Sequence, residues 1–162
     1  MGDDPNSHGS PAPKPELERV LELTVEVEEP IEIGETGDGH RRIIPISGGT
    51  VTGRCSGRVL SAGADYQLFR AEGPTELVAK YAFETDDGSR VYVENRGIRR
   101  APSEASERLR DGDPVDPDAV YFRSVPSFET ADPELDWLTR HVFVAAGTRQ
   151  PAGVRLAVYR VG

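Results

Sequence analysis

Strict alternation of apolar and polar side chains constrains this chain more than any other feature. Apolar residues stand at Leu21, Leu23, Val25 and Val27, with Glu22, Thr24, Glu26 and Glu28 between them. Successive side chains of an extended backbone point to opposite faces, so the segment predicts a strand with one dry and one wet side. Pro30 interrupts it, and Ile31 and Ile33 resume after a kink. The same pattern predicts strands over Arg42–Ile46, Thr50–Leu60, Asp65–Ala71, Glu76–Thr85, Ser89–Ile98, Ala119–Val125, Arg140–Ala146 and Val154–Val161. Turns are expected at Gly48-Gly49, Glu72-Gly73-Pro74 and Asp86-Asp87-Gly88, where glycine tolerates positive φ. Gly53 and Gly57 lie inside a predicted strand and mark bulges or bends.

Short strands joined by Gly-rich turns predict an all-β sandwich or barrel. Closure removes exposed edges, and the glycines stand where coiled strands need corners. The expectation is therefore a closed antiparallel β-barrel of about ten strands. Two segments depart from the pattern. Pro102–Asp118 is acidic and contains Ser and Pro, which predicts a long loop, either a lid or disordered. Asp132-Pro133-Glu134 opens a short helix, with Asp132 as N-cap and Pro133 at the first helical position. Leu135, Trp137 and Leu138 equip that helix to cap one barrel end. Residues 1–16 carry too little apolar side chain to offset the entropy of ordering them, predicting a flexible tail before a single barrel domain at 17–162.

Composition narrows the function. The formal net charge of -9 lacks the basic stripe that nucleic acid requires and disfavours anionic membranes. Cys55 is the only cysteine, so no intramolecular disulfide forms. The first residues hold no apolar leader, and a cytoplasmic protein is expected. His8, His40 and His141 are scattered, so no metal site is expected. There is no P-loop, and no Gly-x-Ser-x-Gly elbow for a serine nucleophile. General acid–base work in a dry cavity remains, without a cofactor.

Candidates for that work come from side-chain parity. Asp65 shares a face with Gln67 and Phe69; it is either a turn-capping residue or an inward carboxyl whose pKa burial raises. Glu94 shares a face with Tyr92 and Arg96, opposite Val91, Val93 and Asn95. It is either half of a solvated cross-strand pair with Arg96 or a carboxylate in the cavity. Arg123, on a face with Tyr121 and Val125, either snorkels outward or holds Asp65 ionised inside. Tyr81 shares a face with Phe83 and reads as core or pocket wall. Trp137 reads as a plug or a pocket roof.

A resemblance joins these readings. Gly39-His40-Arg41-Arg42-Ile43-Ile44-Pro45-Ile46-Ser47-Gly48-Gly49, then Gly53, Gly57-Arg58-Val59-Leu60 and Gly63-Ala64-Asp65, lead to Tyr81 and Thr85-Asp86-Asp87-Gly88. Tyr121-Phe122-Arg123, Phe128-Glu129-Thr130 and Trp137-Leu138 follow in order. In the order and spacing of these motifs, from about Leu17 to Val161, the chain resembles the domain of unknown function 3237 family. It departs at Tyr66, where the resemblance implies Trp. The resemblance implies a β-barrel of about ten strands. The chain is also similar in size and architecture to barrel cyclases that close spiroacetal rings in polyketide biosynthesis, a likeness that does not fix function.

The expectation is a cofactor-free cyclase or isomerase acting on a hydrophobic, oxygen-rich small molecule, with spiroacetal formation its best concrete form. Asp65 and Glu94 would transfer protons and Arg123 would polarise a carbonyl. Tyr81, Tyr92, Tyr121 and Trp137 would line the pocket. A homodimer is compatible with this reading. Two rivals stand: a lipocalin-like carrier without chemistry, and a filled barrel whose function lies on its surface, with Pro102–Asp118 as the partner site.

Overall fold

The computed structural model describes residue 9 and residues 11–162. Its strands are β1 (Leu17–Val27), β2 (Ile31–Thr36), β3 (Gly39–Gly53), β4 (Gly57–Val59) and β5 (Ala64–Phe69), followed by β6 (Thr75–Thr85) and β7 (Arg90–Arg100). A helix α1 (Ser103–Asp111) and a 3-10 turn at Pro117–Ala119 lead to β8 (Tyr121–Thr130). A 3-10 helix, Pro133–Leu138, precedes β9 (Val142–Gln150) and β10 (Gly153–Val161). The expected tail falls mostly on residues 1–8 and 10, outside the described residues. Glu16 exchanges backbone hydrogen bonds with Gly162 at 2.9 and 2.8 Å, extending the β1–β10 ladder.

Every pairing is antiparallel, and the sheet closes on itself. β1 pairs with β10 along one side, Leu17 opposite Val161, and with β3 along the other, Leu21 opposite Gly53. From β10 the wall continues through β9, β8, β7 and β6. β4 and β5 occupy one position between β6 and β3 at different heights, and β2 extends the edge of β3 beyond the end of β1. The result is an eight-strand barrel with two extra strands.

Three local expectations are corrected. Gly48-Gly49 is not a turn: both lie within β3, a 15-residue strand long enough to serve two neighbours on each side. Gly49 is needed because β1 passes close. Its φ is +138°, and a Cβ there would stand 1.9 Å from the Thr24 carbonyl oxygen. Thr50–Leu60 is not one strand, since β3 ends at Gly53 and β4 begins at Gly57. Pro102–Asp118 is not a structureless loop, because α1 occupies Ser103–Asp111. It carries Glu104 in its first turn and Arg108 and Arg110 in its last, and closes on Gly112 in the left-handed conformation. The capping helix after Asp132 forms as a 3-10 helix, and Asp132 accepts the Glu134 backbone N–H at 2.9 Å as expected.

The interior changes character along the barrel axis. Inward positions on β7 run Val91, Val93, Asn95, Gly97 and Arg99, from apolar to polar to cationic. Opposite Val93 stands Phe128, opposite Gly97 stands Ser124, and opposite Arg99 stands Phe122. The apolar end is packed solid with Phe83, Val91, Val93, Phe143 and Leu21, and Leu138 of the 3-10 helix plugs it. Each such side chain contributes about 1.5–3 kcal/mol on burial.

Replacing Gly49 by Ala drives a methyl into the β1–β3 seam and forces an unfavourable φ. A loss of about 2 kcal/mol or more in urea unfolding is expected. Gly37→Ala, with nothing within 4 Å of its added Cβ, should stay within about 0.5 kcal/mol of the parent. Equal losses at both positions would show that the seam has room to spare.

Candidate active site

At mid-height the solid core gives way to a small polar chamber. Period two along β5, β6, β7 and β8 turns Asp65, Tyr81, Asn95 and Ser124 onto the inner wall, and all four line a cavity of about 40 Å³. Asp65 Oδ1, Tyr81 Oη, Asn95 Oδ1 and Ser124 Oγ are each sealed from solvent without a hydrogen-bond partner among the described residues. An unpartnered buried polar atom costs about 1–3 kcal/mol, so four lining one cavity call for a partner inside it, a ligand group or an ordered water.

Asp65 is the ionisable group of this chamber. Its residue is only partly buried, yet Oδ1 is sealed, and Oδ2 accepts a hydrogen bond from Gln67 Nε2 at 2.9 Å. Burial pushes its pKa above the ordinary carboxylate range, against the opposing pull of the Gln67 hydrogen bond and the positive Arg99. Tyr81 is pushed up by burial and by the charge on Asp65, so its phenol stays protonated and available as a donor.

Above the chamber lies a second cavity of about 340 Å³, enclosed by α1, the segment after it and the ends of β8 and β9. Phe122 lines both cavities and stands between them. Its ring is seated over Gly147, where a Cβ would meet the ring atoms at 2.7–2.8 Å. Arginines surround this mouth. Arg42 donates to the Arg110 carbonyl at 3.0 Å and pairs with Glu32 at 2.9 Å, and Arg149 donates to the Leu109 carbonyl at 3.2 Å. Both therefore grip the C-terminal end of α1, where the helix dipole is negative. The buried Arg99 lines the larger cavity and makes no hydrogen bond or ion pair among the described residues. Burial pulls its pKa down to about 10, with Asp65 opposing and Arg149 and Arg42 adding to the fall, so it stays charged at neutral pH.

The sequence-derived candidates divide between the two sides of the wall. Asp65 and Tyr81 face the chamber. Glu94 does not: it lies on the outer face, accepting the Tyr92 hydroxyl at 2.8 Å with Lys80 Nζ at 3.9 Å. Arg123 is also outside, stacked against Tyr121 at 5.3 Å. Tyr92 and Tyr121 are exposed, 37% and 42%. The inner face of β7 belongs to Val91, Val93 and Asn95, so parity places Tyr92 and Glu94 outward; on β8 Phe122 and Ser124 take the inside from Tyr121 and Arg123. Trp137 lies at the plugged end, 6.1 Å from Phe143 and beneath the Arg54 guanidinium at 4.2 Å, remote from the chamber. Parity also carried the signal for the residues missed: Asn95 and Arg99 share the face of Val91 and Val93. Among the described residues no three His, Cys, Asp or Glu converge to hold a metal, and no helix is long and apolar enough to cross a membrane.

Fold and site together define a small closed β-barrel whose ionisable groups face an internal cavity behind a cationic mouth. The chain belongs to the family described as protein of unknown function (DUF3237), whose model matches residues 15–161. A UPF0311 protein of Bradyrhizobium diazoefficiens is 49% identical over 142 residues, covering 88% of this chain and 93% of that protein. The crystal structure of a conserved protein of unknown function from Rhodopseudomonas palustris is similar, with TM-score 0.89 and 47% identity over 93% of this chain and 100% of that one. A β-barrel-like protein from Acinetobacter baumannii gives TM-score 0.83 at 35% identity, covering 95% and 100%. At 16% identity, the structure described as an enzyme from Penicillium herquei matches with TM-score 0.72 over 96% of this chain and 100% of that one, a likeness of fold alone.

Because Asp65 holds its proton more tightly folded than unfolded, its contribution to stability is fully present below the unfolded carboxylate pKa, near pH 4. It is lost as pH rises through the raised folded value. Asp65→Asn removes that loss. The variant should melt above the parent at pH 7, and the gap should close as pH falls toward about 4. Melting curves that keep a constant separation across this range would mean that Asp65 titrates as it does in water.

Proposed function

We propose that this protein is a cofactor-free cyclase or isomerase that moves a proton within its barrel, with Asp65 as the proton carrier. The observation that carries the reading is the set of four unpartnered polar atoms around the chamber, one of them a carboxyl oxygen. Burial makes the Asp65 carboxyl hold its proton more tightly than a carboxyl in water does, which makes it a stronger base when ionised and so a better acceptor for a substrate proton. Beside it, the Tyr81 phenol donates a hydrogen bond to an oxygen on which negative charge develops, and it does so in a site with little water to compete.

The most concrete reaction of this type is closure of an oxygen ring, as in a spiroacetal. The Asp65 carboxylate accepts the proton of a substrate hydroxyl as that oxygen bonds to a ketone carbon, and Tyr81 steadies the former carbonyl oxygen. Asp65 returns that proton to the former carbonyl oxygen, giving a hemiketal hydroxyl. For the second ring a protonated Asp65 gives its proton to this hydroxyl, which departs as water as the C–O bond breaks. The second substrate hydroxyl bonds to the same carbon and restores the proton to Asp65. Its raised pKa suits both directions. The smaller cavity admits only the reacting end of such a molecule, so the body would occupy the larger one beyond Phe122. A distant neighbour of the same fold is described as an enzyme, which agrees with this reading. The rival reading, a carrier, draws on the largely apolar walls of the larger cavity.

Incubation with linear dihydroxyketones, followed by mass spectrometry, should reveal a product isomeric with the input or one water lighter. Asp65→Asn should cut its formation by about 10²-fold or more, and Tyr81→Phe by about 10²-fold, without lowering the melting temperature of Asp65→Asn. Undiminished product from Asp65→Asn would remove the catalytic role. Unchanged, retained ligand would favour the carrier.

A further inference from the structure

We propose that the ligand of this barrel carries a carboxylate, that Arg99 binds it at the mouth, and that the rest of the molecule extends past Phe122 toward Asp65. The inference rests on reading the Asp65 chamber as the reacting end. Arg99 is 7% exposed, and what it exposes faces the 340 Å³ cavity. A guanidinium carries five N–H donors in a planar fork and cannot neutralise itself by losing a proton. Burying one without a partner is costly, and structures meet that cost by pairing it. Arg42 is committed to Glu32 and to the Arg110 carbonyl, and Arg149 to the Leu109 and Asp113 carbonyls. Arg42 Nε is also without a partner, but Arg99 alone of the three makes no hydrogen bond or ion pair among the described residues, with its guanidinium 5.8 Å from the Phe69 ring centroid.

The surrounding charge favours an anion here although the chain as a whole is acidic at -9. Arg42 and Arg149 both act on Arg99 as like charges. Asp113 on the cavity lip partly offsets Arg149, and Asp65 on the chamber side partly offsets Arg99. A positive field gathered into a low-dielectric cleft raises the local concentration of anions. One uncommitted guanidinium matches one carboxylate through two parallel N–H···O bonds. The Asp113 carboxylate in the cavity lining disfavours a more highly charged anion such as a phosphate dianion.

The remaining wall decides the rest of the ligand. Leu109, Pro114, Val115, Val120 and Phe122 present apolar surface to the cavity, so the molecule is an amphipathic acid rather than a polar metabolite. The register sets its length. Asp65 stands level with Ala79 and Asn95, and Arg99 lies four residues farther along β7. That is roughly 13 Å of strand, shortened by the reach of the arginine side chain. The acid group and the reacting carbon are thus separated by several bonds, which excludes short 2-hydroxy or 2-keto acids.

Calorimetry with octanoate and octan-1-ol as probes tests the inference on the full chain. Octanoate should bind the parent protein about 10-fold or more tightly than octan-1-ol, the scale of a charge-assisted hydrogen-bonded pair. Arg99→Gln should weaken octanoate by about 10- to 100-fold. It should leave octan-1-ol unchanged, which also reports an intact fold. Arg99→Lys should restore part of the loss, and Asp65→Asn should bind octanoate at least as well as the parent. Absence of octanoate binding, equal affinity for the two probes, or indifference to Arg99→Gln would each overturn the proposal. Octanoate held by Arg99 in an Asp65→Asn variant with full turnover would leave this inference standing and remove the catalytic reading. Loss of turnover with no preference for octanoate would do the reverse.

Discussion

The hydrogen-bonded seam at β1 is what the remainder of the molecule depends on. One strand pairs with β10 on one edge and β3 on the other, and so turns a meander into a closed wall. Closure satisfies backbone groups that an open sheet would leave at its edges. It also keeps water from the middle of the barrel, and every electrostatic property of the chamber follows from that exclusion. The raised pKa of Asp65 and the lowered pKa of Arg99 have burial as their largest cause. The seam is tight enough that Gly49 and Gly153 admit no Cβ, which would meet carbonyl oxygens of β1 at 1.9 and 1.8 Å.

Along the axis the barrel divides its tasks. The plugged end, with Phe83, Phe143, Val91, Val93 and Leu138, supplies the apolar burial that stabilises the fold. The middle and the mouth accept polar groups without protein partners, which cost stability where they stand. Such local costs persist when the surrounding structure over-determines them, and they cluster at sites of function. α1 completes the arrangement. It contributes one buried apolar residue, Leu109, and is seated chiefly by Arg42 and Arg149 on its last carbonyls. A network of Glu35 with Arg110 at 2.9 Å and with His40 at 3.1 Å ties the same helix to β2 and β3. The cover of the larger cavity is thus held by polar contacts, whereas the opposite end is held by packing.

Much of the fold was legible because it is written in short-range chemistry. Alternation located nearly all the strands, and Asp132-Pro133 announced a capped turn that the structure forms. The misreadings share a cause. Gly48-Gly49 and the split between Gly53 and Gly57 look alike as sequence, but one is a tight passage inside a strand and the other a break. The difference lies in pairing: β3 runs on through Gly48-Gly49 along β1, whereas the chain reverses at residues 54–56 and β4 pairs back on β3. α1 carried ordinary signals, an acidic first turn, a basic last turn and Gly112, yet its single buried Leu109 gave no apolar stripe to recognise. At the site, Asp65 and Tyr81 were named from the sequence, and Asn95, Ser124 and Arg99 were not.

By itself the sequence determined which residues share a face, because backbone pleating imposes a period of two whatever the strand pairs with. It thereby determined an all-β chain with Asp65, Gln67 and Phe69 on one side and Glu94 with Tyr92 and Arg96 on another. Only the tertiary structure decided which face is inside. That choice belongs to closure: the wall curves toward the side where Val91, Val93 and Phe128 meet Phe143, and Asn95 and Arg99 are carried inward with them while Glu94 and Arg123 are carried out. The meeting of Asp65 with Tyr81, Asn95 and Ser124 comes from the register of four strands, in which Asp65 and Asn95 are both level with Ala79, Tyr81 with Val93 and Ser124 with Gly97, an arrangement no local pattern encodes.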